Sequence, residues 1–411
     1  MAKELIVIGG GAAGFFCAVN AARMDLSLRV TILEKTGRLL SKVRVSGGGR
    51  CNVTHASDDI GEMSGCYPRG KNFVRKAFHY FFTHDTIEWF AARGVPLKTE
   101  ADGRMFPVTD NSETIVGCLL REAEKYGVTI KLNREVKQIS SASGRFVLSF
   151  SDSQVMMADF VCIACGGYPK LSMFEWLSSL GHTIEPPVPS LFTFNLPNHP
   201  IRRLMGVSVP QVRIRIAHTK LSEEGAVLAT HWGLSGPAVL RLSAWGAREL
   251  HAMQYHFEIH VNWCPHLAEQ QVRQELRDSR TSHAARKVIN HNFTGLPSRL
   301  WQFLLEAASI DDEMRFADFP AKKENALVRN LLDYTADVRG KTTYKEEFVT
   351  AGGITLSDVD PNTMMSRRMP NLFFAGEVLD VDGITGGYNF QHAWTSGWIA
   401  ARAITAQELN D

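Results

Sequence analysis

The 411-residue sequence lacks most features that would place it outside the ordinary globular proteins. It has only seven cysteines, an odd number scattered along a long chain. That usage excludes a disulfide-stapled scaffold and is typical of a reducing compartment. It also lacks an excess of either charge, because 45 Lys and Arg residues face 43 Asp and Glu residues. Without a basic balance or a long basic run, nucleic acid is not an expected partner, and we predict a cytoplasmic protein.

Long apolar runs are missing as well. No stretch reaches the ~18 apolar residues that a membrane-spanning helix needs. The nearest, Leu5–Ala22, is almost free of charge, but its three consecutive glycines and Asn20 argue against a signal peptide. We therefore expect no membrane partner. The hydrophobic content of 45% and charged content of 21% are those of a folded chain, and the length predicts two or three domains.

The sequence begins with a nucleotide-binding fingerprint. The apolar strand Leu5–Ile8 leads into Gly9–Gly14, GGGAAG, and this G-x-G-x-x-G pattern opens a helix. The first glycine of the pattern allows a sharp turn, the second lets a diphosphate approach the backbone, and the third lets helix and strand pack closely. The first N–H groups of the helix would then bind the phosphates.

Glu34 is placed to bind a ribose. It ends the next predicted strand, Leu28–Leu33, twenty residues after Gly14. A carboxylate there accepts hydrogen bonds from both ribose hydroxyls and disfavours a 2′-phosphate. The fingerprint therefore predicts a dinucleotide of the NAD or FAD kind and leaves the choice between the two open.

Two further segments favour FAD. Ser46–Asn52, SGGGRCN, is too rich in glycine for a helix interior. Its successive N–H groups, with Lys42, Arg44 and Arg50 nearby, predict a second anion-binding loop, for which a simple NAD domain has no need. Cys162–Gly167 resembles the strand-to-glycine crossing beside the nucleotide of two-domain flavoproteins, although an ordinary buried strand and turn would look the same.

A third segment near the C-terminus is the strongest indication. The apolar strand Leu372–Phe374 is followed by Ala375–Glu377, and Gly386–Asn389 opens a last helix that runs to about Ala406. In many FAD enzymes an acidic residue so placed binds the ribityl chain, while a helix N-terminus faces the pyrimidine end of the flavin. Because reduced flavin gathers negative charge at N1 and O2, the helix N-terminus stabilises it.

Between these segments the periodicity predicts further elements. Helical spacing runs over Lys71–Arg93, with Gly94 as the stop, and again over Ser112–Tyr126. Alternation over Val207–Ile216 predicts a half-exposed strand of a second domain. Helical patterns then return between Leu267 and Asp337.

Four motifs together resemble those of a known family. SGGGRCN (46–52), THWGLSGPAVL (230–240), TAGGI (350–354) and AGEVLDVDGITGGYNFQHAW (375–394) are similar to signatures of the YhiN-type flavoproteins. That family includes enzymes named aminoacetone oxidase and a dehydro-bile-acid reductase. The resemblance covers essentially the whole chain. It implies an α/β fold with a discontinuous Rossmann-like FAD domain (1–188 and 349–411), an inserted β-barrel-like substrate domain (189–265 and 336–348) and a small helical insert (266–335).

The fingerprint, the later segments and the resemblance together define the expected contacts of a non-covalently bound FAD. These contacts are Gly9, Gly11, Ala12, Ala13, Gly14, Glu34, Lys35, Lys42, Gly48, Gly49, Arg50, Cys51, Asn52, Val136, Ala164, Gly166, Gly376, Glu377, Gly387, Tyr388 and Asn389. No cluster of His, Asp, Glu and Cys has metal-ligand spacing, so no metal is expected.

Few side chains qualify for catalysis. His231 lies in a Thr-His-Trp-Gly turn of the inserted domain, where it would supply a proton or be a hydrogen-bonded structural histidine. Tyr388 and His392 lie near the start of the last helix and would orient substrate, although His392 fits the interior equally well. Cys51 lies beside the expected cofactor, where we favour a packed thiol over a redox-active one.

We predict an FAD-dependent oxidoreductase that passes a hydride between a small organic substrate and flavin N5, at the junction of its two large domains. A second G-x-G-x-x-G is absent, so NAD(P)H, if it is the reductant, would bind transiently in the substrate cleft. Reductase and oxidase both stay open, as does the oligomeric state. The alternatives are a flavin-binding protein without turnover and a flavin-dependent RNA-modifying enzyme. Five basic residues are a modest sign of the latter: Arg202, Arg203, Arg213, Arg215 and Lys220.

Overall fold

The computed structural model describes residues 2–142, 144–342 and 349–408. Its helices are α1 (Ala12–Met24), α2 (Ser41–Gly49), α3 (Ile60–Gly65), α4 (Lys71–Ala77), α5 (Thr83–Ala91), α6 (Ser112–Lys125), α7 (Glu175–Ser178), α8 (Pro237–Trp245), α9 (Ala247–Ala252), α10 (Glu269–Ser282), α11 (Ser298–Ala307), α12 (Ala321–Leu332) and α13 (Tyr388–Glu408). Short 3₁₀ turns lie at Leu171–Phe174, Pro200–Leu204, Val288–Asn290, Phe316–Asp318, Leu356–Asp358 and Gly376–Val378.

The strands, in chain order, are β1 (Glu4–Ile8), β2 (Arg29–Leu33), β3 (Thr54–His55), β4 (Leu97–Thr99), β5 (Arg104–Pro107), β6 (Thr129–Lys131), β7 (Val136–Ala142), β8 (Arg145–Phe150), β9 (Val155–Ala158), β10 (Phe160–Ile163), β11 (Ile184–Ser190), β12 (Thr193–Asn195), β13 (Ser208–Ile216), β14 (Ser222–Ala229), β15 (Gly233–Ser235), β16 (His256–Asn262), β17 (Tyr334–Arg339), β18 (Lys341–Thr342), β19 (Val349–Ile354) and β20 (Leu372–Phe374).

The described residues form two compact units. Unit 1 comprises those up to Ser190 and those from Val349 onward, and unit 2 comprises Leu191–Thr342. Unit 1 therefore contains both ends of the chain. The helices that the sequence analysis separates as an insert, α10 to α12, share one hydrophobic core with the sheet of unit 2.

Unit 1 is built on a parallel sheet with the strand order β20-β10-β1-β2-β6. In its central strands Leu5–Ile8 and Phe160–Ile163 are all apolar and buried, because a parallel sheet covered on both faces leaves no strand face to water. After β1 the chain adds β2 and β6 on one side of it and then β10 and β20 on the other side. The direction in which strands are added therefore reverses between β1 and β10. In such α/β sheets ligands bind at the carboxyl ends of the strands beside this reversal. The predicted Rossmann-like fold is confirmed, and the reversal directs attention to Gly9 and Ala164.

The prediction of one helix over residues 71–93 is wrong. The chain forms α4 and α5 with a break between them, in which Phe78, Phe81 and Phe82 are buried. The amide of Phe82 donates to the Asp85 carboxylate at 2.7 Å, which caps the start of the second helix. Burying these three phenylalanines thus ends α4, although the spacing of apolar residues is compatible with one continuous helix.

Unit 2 contains an antiparallel sheet in the order β17-β16-β13-β14-β15-β12-β18. Only Gly340, with φ +99°, separates β17 from β18, which lie at opposite ends of that order. The amide of Asn195, on β12, also donates to the Gly340 carbonyl at 3.1 Å. The two ends of the sheet are therefore consecutive in the chain and joined by this glycine, an arrangement that favours the barrel-like prediction. None of the helices in the described ranges combines the length and apolar content needed to cross a lipid bilayer.

Candidate functional site

The turn between β1 and α1 brings the backbone within reach of a ligand. Gly9 has φ +116°, and a Cβ on it would lie 2.3 Å from the Ala164 carbonyl oxygen. A Cβ on Gly14 would lie 2.0 Å from the Gly9 carbonyl oxygen, so helix and strand touch there. A Cβ on Gly11 would meet no described atom within 4 Å. Since α1 starts at this position without a side-chain cap, the open space lies where a helix N-terminus binds anions.

Glu34 lies against the same turn. One carboxylate oxygen accepts from the Gly10 amide at 2.9 Å, and the other accepts from the Thr36 amide at 2.8 Å and from its hydroxyl at 2.9 Å. These bonds fix the carboxylate while lone pairs stay available, because each carboxylate oxygen accepts more than one bond. The residue expected to bind ribose is thus held at the edge of the expected phosphate site.

A cavity of about 530 Å³ extends from this turn. Four of the predicted cofactor residues line it, namely Gly9, Glu34, Lys35 and Val136. Cys165, Tyr168 and Trp176 also line it. Aromatic side chains and a fixed carboxylate in one cavity match an adenosine, since the base needs apolar contact and the ribose needs hydrogen-bond acceptors.

These aromatic residues of the cavity were not predicted from the sequence. The Tyr168 ring is buried and packs edge-on against Phe174 with centroids 4.9 Å apart, while the Lys35 ammonium lies 5.0 Å from its centroid. Burial raises the pKa of the Cys165 thiol to about 11, so that side chain is neutral near pH 7. The sequence does contain two large aromatic residues, Tyr168 and Trp176, soon after Gly166 and Gly167. Whether their rings face the cavity depends on how the 3₁₀ turn Leu171–Phe174 and α7 pack.

The predicted glycine loop breaks α2. Ser46, Gly47 and Gly48 leave helical geometry, and the φ angles of Gly47, Gly48 and Gly49 are +59°, +70° and +85°. A Cβ on Gly48, Gly49 or Gly166 would meet no described atom within 4 Å. The loop therefore exposes backbone as the sequence analysis expects.

Two side chains of the loop are occupied elsewhere. The Arg50 guanidinium lies 3.9 Å from the Phe106 centroid and donates to Glu100 at 2.6 Å. Its charge is thus offset by a protein carboxylate. Cys51 is fully buried, and burial raises the pKa of its thiol to about 12. These surroundings favour the packed thiol over the redox-active one.

Residues from the two ends of the chain meet at Glu377. Its carboxylate forms an ion pair with Lys42, and its other oxygen accepts from the Thr350 amide at 2.9 Å. A Cβ on Gly167 would lie 3.0 Å from that oxygen, so the crossing after β10 passes beside the pair. The structure thus places Lys42 and Glu377, predicted separately, in direct contact.

The start of α13 is tied to the glycine loop. With its amide oriented to satisfy both groups, Asn52 donates to the Thr54 carbonyl at 3.0 Å and accepts from the Gly387 amide at 3.0 Å. Asn389 accepts from the Gly383 amide at 2.8 Å and donates to the Gly383 carbonyl at 2.9 Å. These bonds hold the backbone at the predicted pyrimidine end of the site.

The two predicted catalytic residues lie in different surroundings. Tyr388 is buried, and its ring stacks on His55 with centroids 4.8 Å apart. His231 is exposed in unit 2, where its carbonyl accepts from Arg202 and its ring lies 4.1 Å from that of Trp232. Both catalytic assignments stay predictions. Within the described ranges, no group of three or more His, Cys, Asp or Glu residues could hold a metal.

Comparison with known proteins adds to this geometry. The family model described as HI0933-like protein Rossmann domain matches residues 3–403. The chain is 30% identical over 406 residues to the 3-dehydro-bile acid delta(4,6)-reductase of Clostridium scindens, covering 97% of this chain and 98% of that protein. It is 31% identical over 413 residues to the ribosomal RNA dihydrouridine synthase of Escherichia coli K12, covering 98% of each. These matches confirm the resemblance predicted from the motifs. The RNA named by the second relative leaves the expectation of no nucleic-acid partner unconfirmed.

A solved structure has the same fold. The 3-ketosteroid delta1-dehydrogenase from Sterolibacterium denitrificans, in complex with 1,4-androstadiene-3,17-dione, matches with a TM-score of 0.52 and 12% identity. The match covers 98% of this chain and 99% of that one. At this identity the likeness shows the fold alone.

Proposed function

Since this chain belongs to the HI0933-like protein Rossmann domain family, we propose that it reduces a carbon–carbon double bond conjugated to a carbonyl group. It is an FAD-dependent oxidoreductase. The names of two relatives describe adding two hydrogens, one to a dehydro-bile acid with double bonds at positions 4 and 6, the other to uridine. Both compounds carry such a double bond. We propose a small conjugated ketone as the substrate here.

One observation carries the cofactor assignment. Unit 1 brings together the open backbone at Gly11, the cavity beside Glu34 and the Lys42–Glu377 pair. Their chemistry suits the parts of FAD in turn: a diphosphate, an adenosine and a ribityl polyol. When bound, FAD supplies a hydride donor or acceptor at N5. The chain's own residues hold the phosphates on backbone N–H groups and accept hydrogen bonds from the sugar hydroxyls.

The reaction is tested on purified protein. We expect a visible flavin spectrum, bleaching under anaerobic NADH or NADPH, and recovery when a steroid carrying a conjugated ketone is added without oxygen. Mass spectrometry should show that the steroid has gained two hydrogens. Recovery with oxygen but not with any conjugated ketone would instead indicate an oxidase. Bound flavin that no reductant bleaches would support flavin binding without turnover.

A second candidate is reduction of uridine in ribosomal RNA. It is favoured by the Escherichia coli relative, which this chain matches over 98% of its length. The five basic residues of unit 2 give it little support, because carboxylates pair with three of them: Arg203 with Glu306, Arg213 with Glu224, and Arg215 with Asp333. Dihydrouridine formation on an rRNA transcript, with binding that weakens as salt rises, would favour this candidate over the first.

A further inference from the structure

The side chain of His55 holds the backbone turn that opens α13. Its Nδ1 lies 3.1 Å from the Gly386 carbonyl oxygen. Because a carbonyl only accepts, Nδ1 carries a proton and is the donor of this bond. The half-buried ring stacks on that of Tyr388, and a Cβ on Gly103 would lie 2.5 Å from its Nε2. Packing on both sides therefore sets the direction in which Nδ1 points.

The peptide group that accepts this bond is also held at its other end. The amide of Gly387 belongs to the same peptide as the Gly386 carbonyl, and it donates to the Asn52 side-chain oxygen at 3.0 Å. A Cβ on Gly387 would lie 2.5 Å from the Thr54 carbonyl oxygen, so the backbone of β3 touches the turn. Glycine restricts its own backbone little, whereas a peptide group is planar. The two bonds, at opposite ends of one plane, therefore decide how that plane is turned.

The first amides of α13 follow directly from this peptide. The first helical bond runs from the Gln391 amide to the Gly387 carbonyl at 3.0 Å. The amides of Asn389 and Phe390 come before it, at the end of the helix where N–H groups are left for a ligand. We expect the pyrimidine end of the flavin here, where reduction gathers negative charge. N–H groups stabilise such a charge best when they are already aligned, because no free energy is then spent on turning them.

We propose that His55 is a positioning residue for flavin reduction, which acts through the Gly386 carbonyl and raises the reduction potential of bound FAD. The proposal rests on the proposed function in taking FAD as the ligand. A side chain that only supported the fold would affect the binding of oxidised and reduced FAD equally. The reduction potential of bound FAD depends on the ratio of those two affinities, so an equal loss leaves it unchanged. The potential therefore separates positioning from structural support.

The test compares two variants of the same side-chain shape, His55→Asn and His55→Leu. Asparagine has an N–H group at the position of Nδ1, whereas leucine has a methyl group there. Both variants lose the ring, so the loss of stacking on Tyr388 is common to them and cancels in the comparison. His79→Leu, at an exposed histidine that follows α4, is the control.

The potential of bound FAD is measured by anaerobic equilibration with a dye of known potential, and thermal unfolding of the FAD-free proteins gives their stability. His55→Leu should lower the affinity for reduced relative to oxidised FAD about tenfold. For a two-electron couple that change is a fall of about 30 mV. His55→Asn should keep the wild-type potential because it keeps the donor, and so should His79→Leu.

Each outcome decides the proposal. A wild-type potential in His55→Leu would overturn it, even if that variant melts at a lower temperature. An equal fall in His55→Asn and His55→Leu would also overturn it, because the donor would then have no effect. If His55→Leu does not fold, ¹⁵N NMR of FAD-free wild type provides the test, since a bare Nδ1 on His55 would exclude the bond to Gly386. Wild-type protein that binds no FAD would refute the proposed function itself, a result that the NMR spectrum of the FAD-free protein does not depend on.

Discussion

Adding a single methyl group at Gly11 should separate cofactor binding from folding. The backbone there has φ −94° and ψ −171°, which alanine adopts without strain, and its Cβ would meet no described atom within 4 Å. Replacing glycine by alanine at a compatible position stabilises a protein by about 0.4–1 kcal/mol, because alanine lowers the conformational entropy of the unfolded chain. Alanine is a poorer N-cap than glycine by about 0.5–1 kcal/mol. The two effects offset each other, so Gly11→Ala should leave the free energy of unfolding within ~0.5 kcal/mol of wild type.

The same methyl group should interfere strongly with FAD. It occupies the space through which a diphosphate reaches the first N–H groups of α1. Losing one hydrogen bond to a charged phosphate costs about 1.5–3 kcal/mol. That loss corresponds to a Kd for FAD raised roughly 10- to 150-fold.

Gly14→Ala is the matched control, because its Cβ would lie 2.0 Å from the Gly9 carbonyl oxygen. Helix and strand must then move apart, at a cost of about 1–3 kcal/mol in the free energy of unfolding. Urea unfolding of FAD-free protein and flavin fluorescence titration measure both quantities for each variant. Gly11→Ala protein that binds FAD as tightly as wild type would refute the placement of the diphosphate on this turn. FAD-free Gly14→Ala protein as stable as wild type would refute the need for close helix–strand packing.

Three further results follow from the site. Glu34→Ala should raise the Kd for FAD about tenfold, because the ribose loses a charged acceptor; an unchanged Kd in the fluorescence titration would exclude ribose binding there. Cys51, with its thiol pKa raised to about 12, should stay unmodified by iodoacetamide in folded protein near pH 8 and react only in urea, as mass spectrometry of the peptide would show. The pKa of His392 is lowered from 6.5 to about 4, so below pH 6.5 the unfolded chain binds a proton that the folded protein does not. The free energy of unfolding should be unaffected above that pH and fall by about 3 kcal/mol as the pH drops to 4, and urea titrations should show no such fall in His392→Leu.

The sequence predicted best those parts of the site that are continuous in the chain. The phosphate turn and the loop around Gly48 could be derived because glycine spacing acts through local backbone geometry, which few neighbours can change. The parallel sheet followed from apolar strands alternating with helical segments. The break between α4 and α5 could not be derived, because it depends on burying Phe78, Phe81 and Phe82 against residues distant in sequence.

Which side chains line the site depends on the tertiary structure. Tyr168 and Trp176 line the cavity because a short helical turn packs beside the sheet, and neither the apolar pattern nor the spacing records the direction of that turn. Lys42 and Glu377 lie 335 residues apart in the chain, yet their side chains form an ion pair. Composition and motif therefore determined the kind of ligand, through short-range backbone chemistry. Tertiary structure decided which side chains surround it, because each of those contacts joins residues whose separation in the chain carries no information about their distance in space.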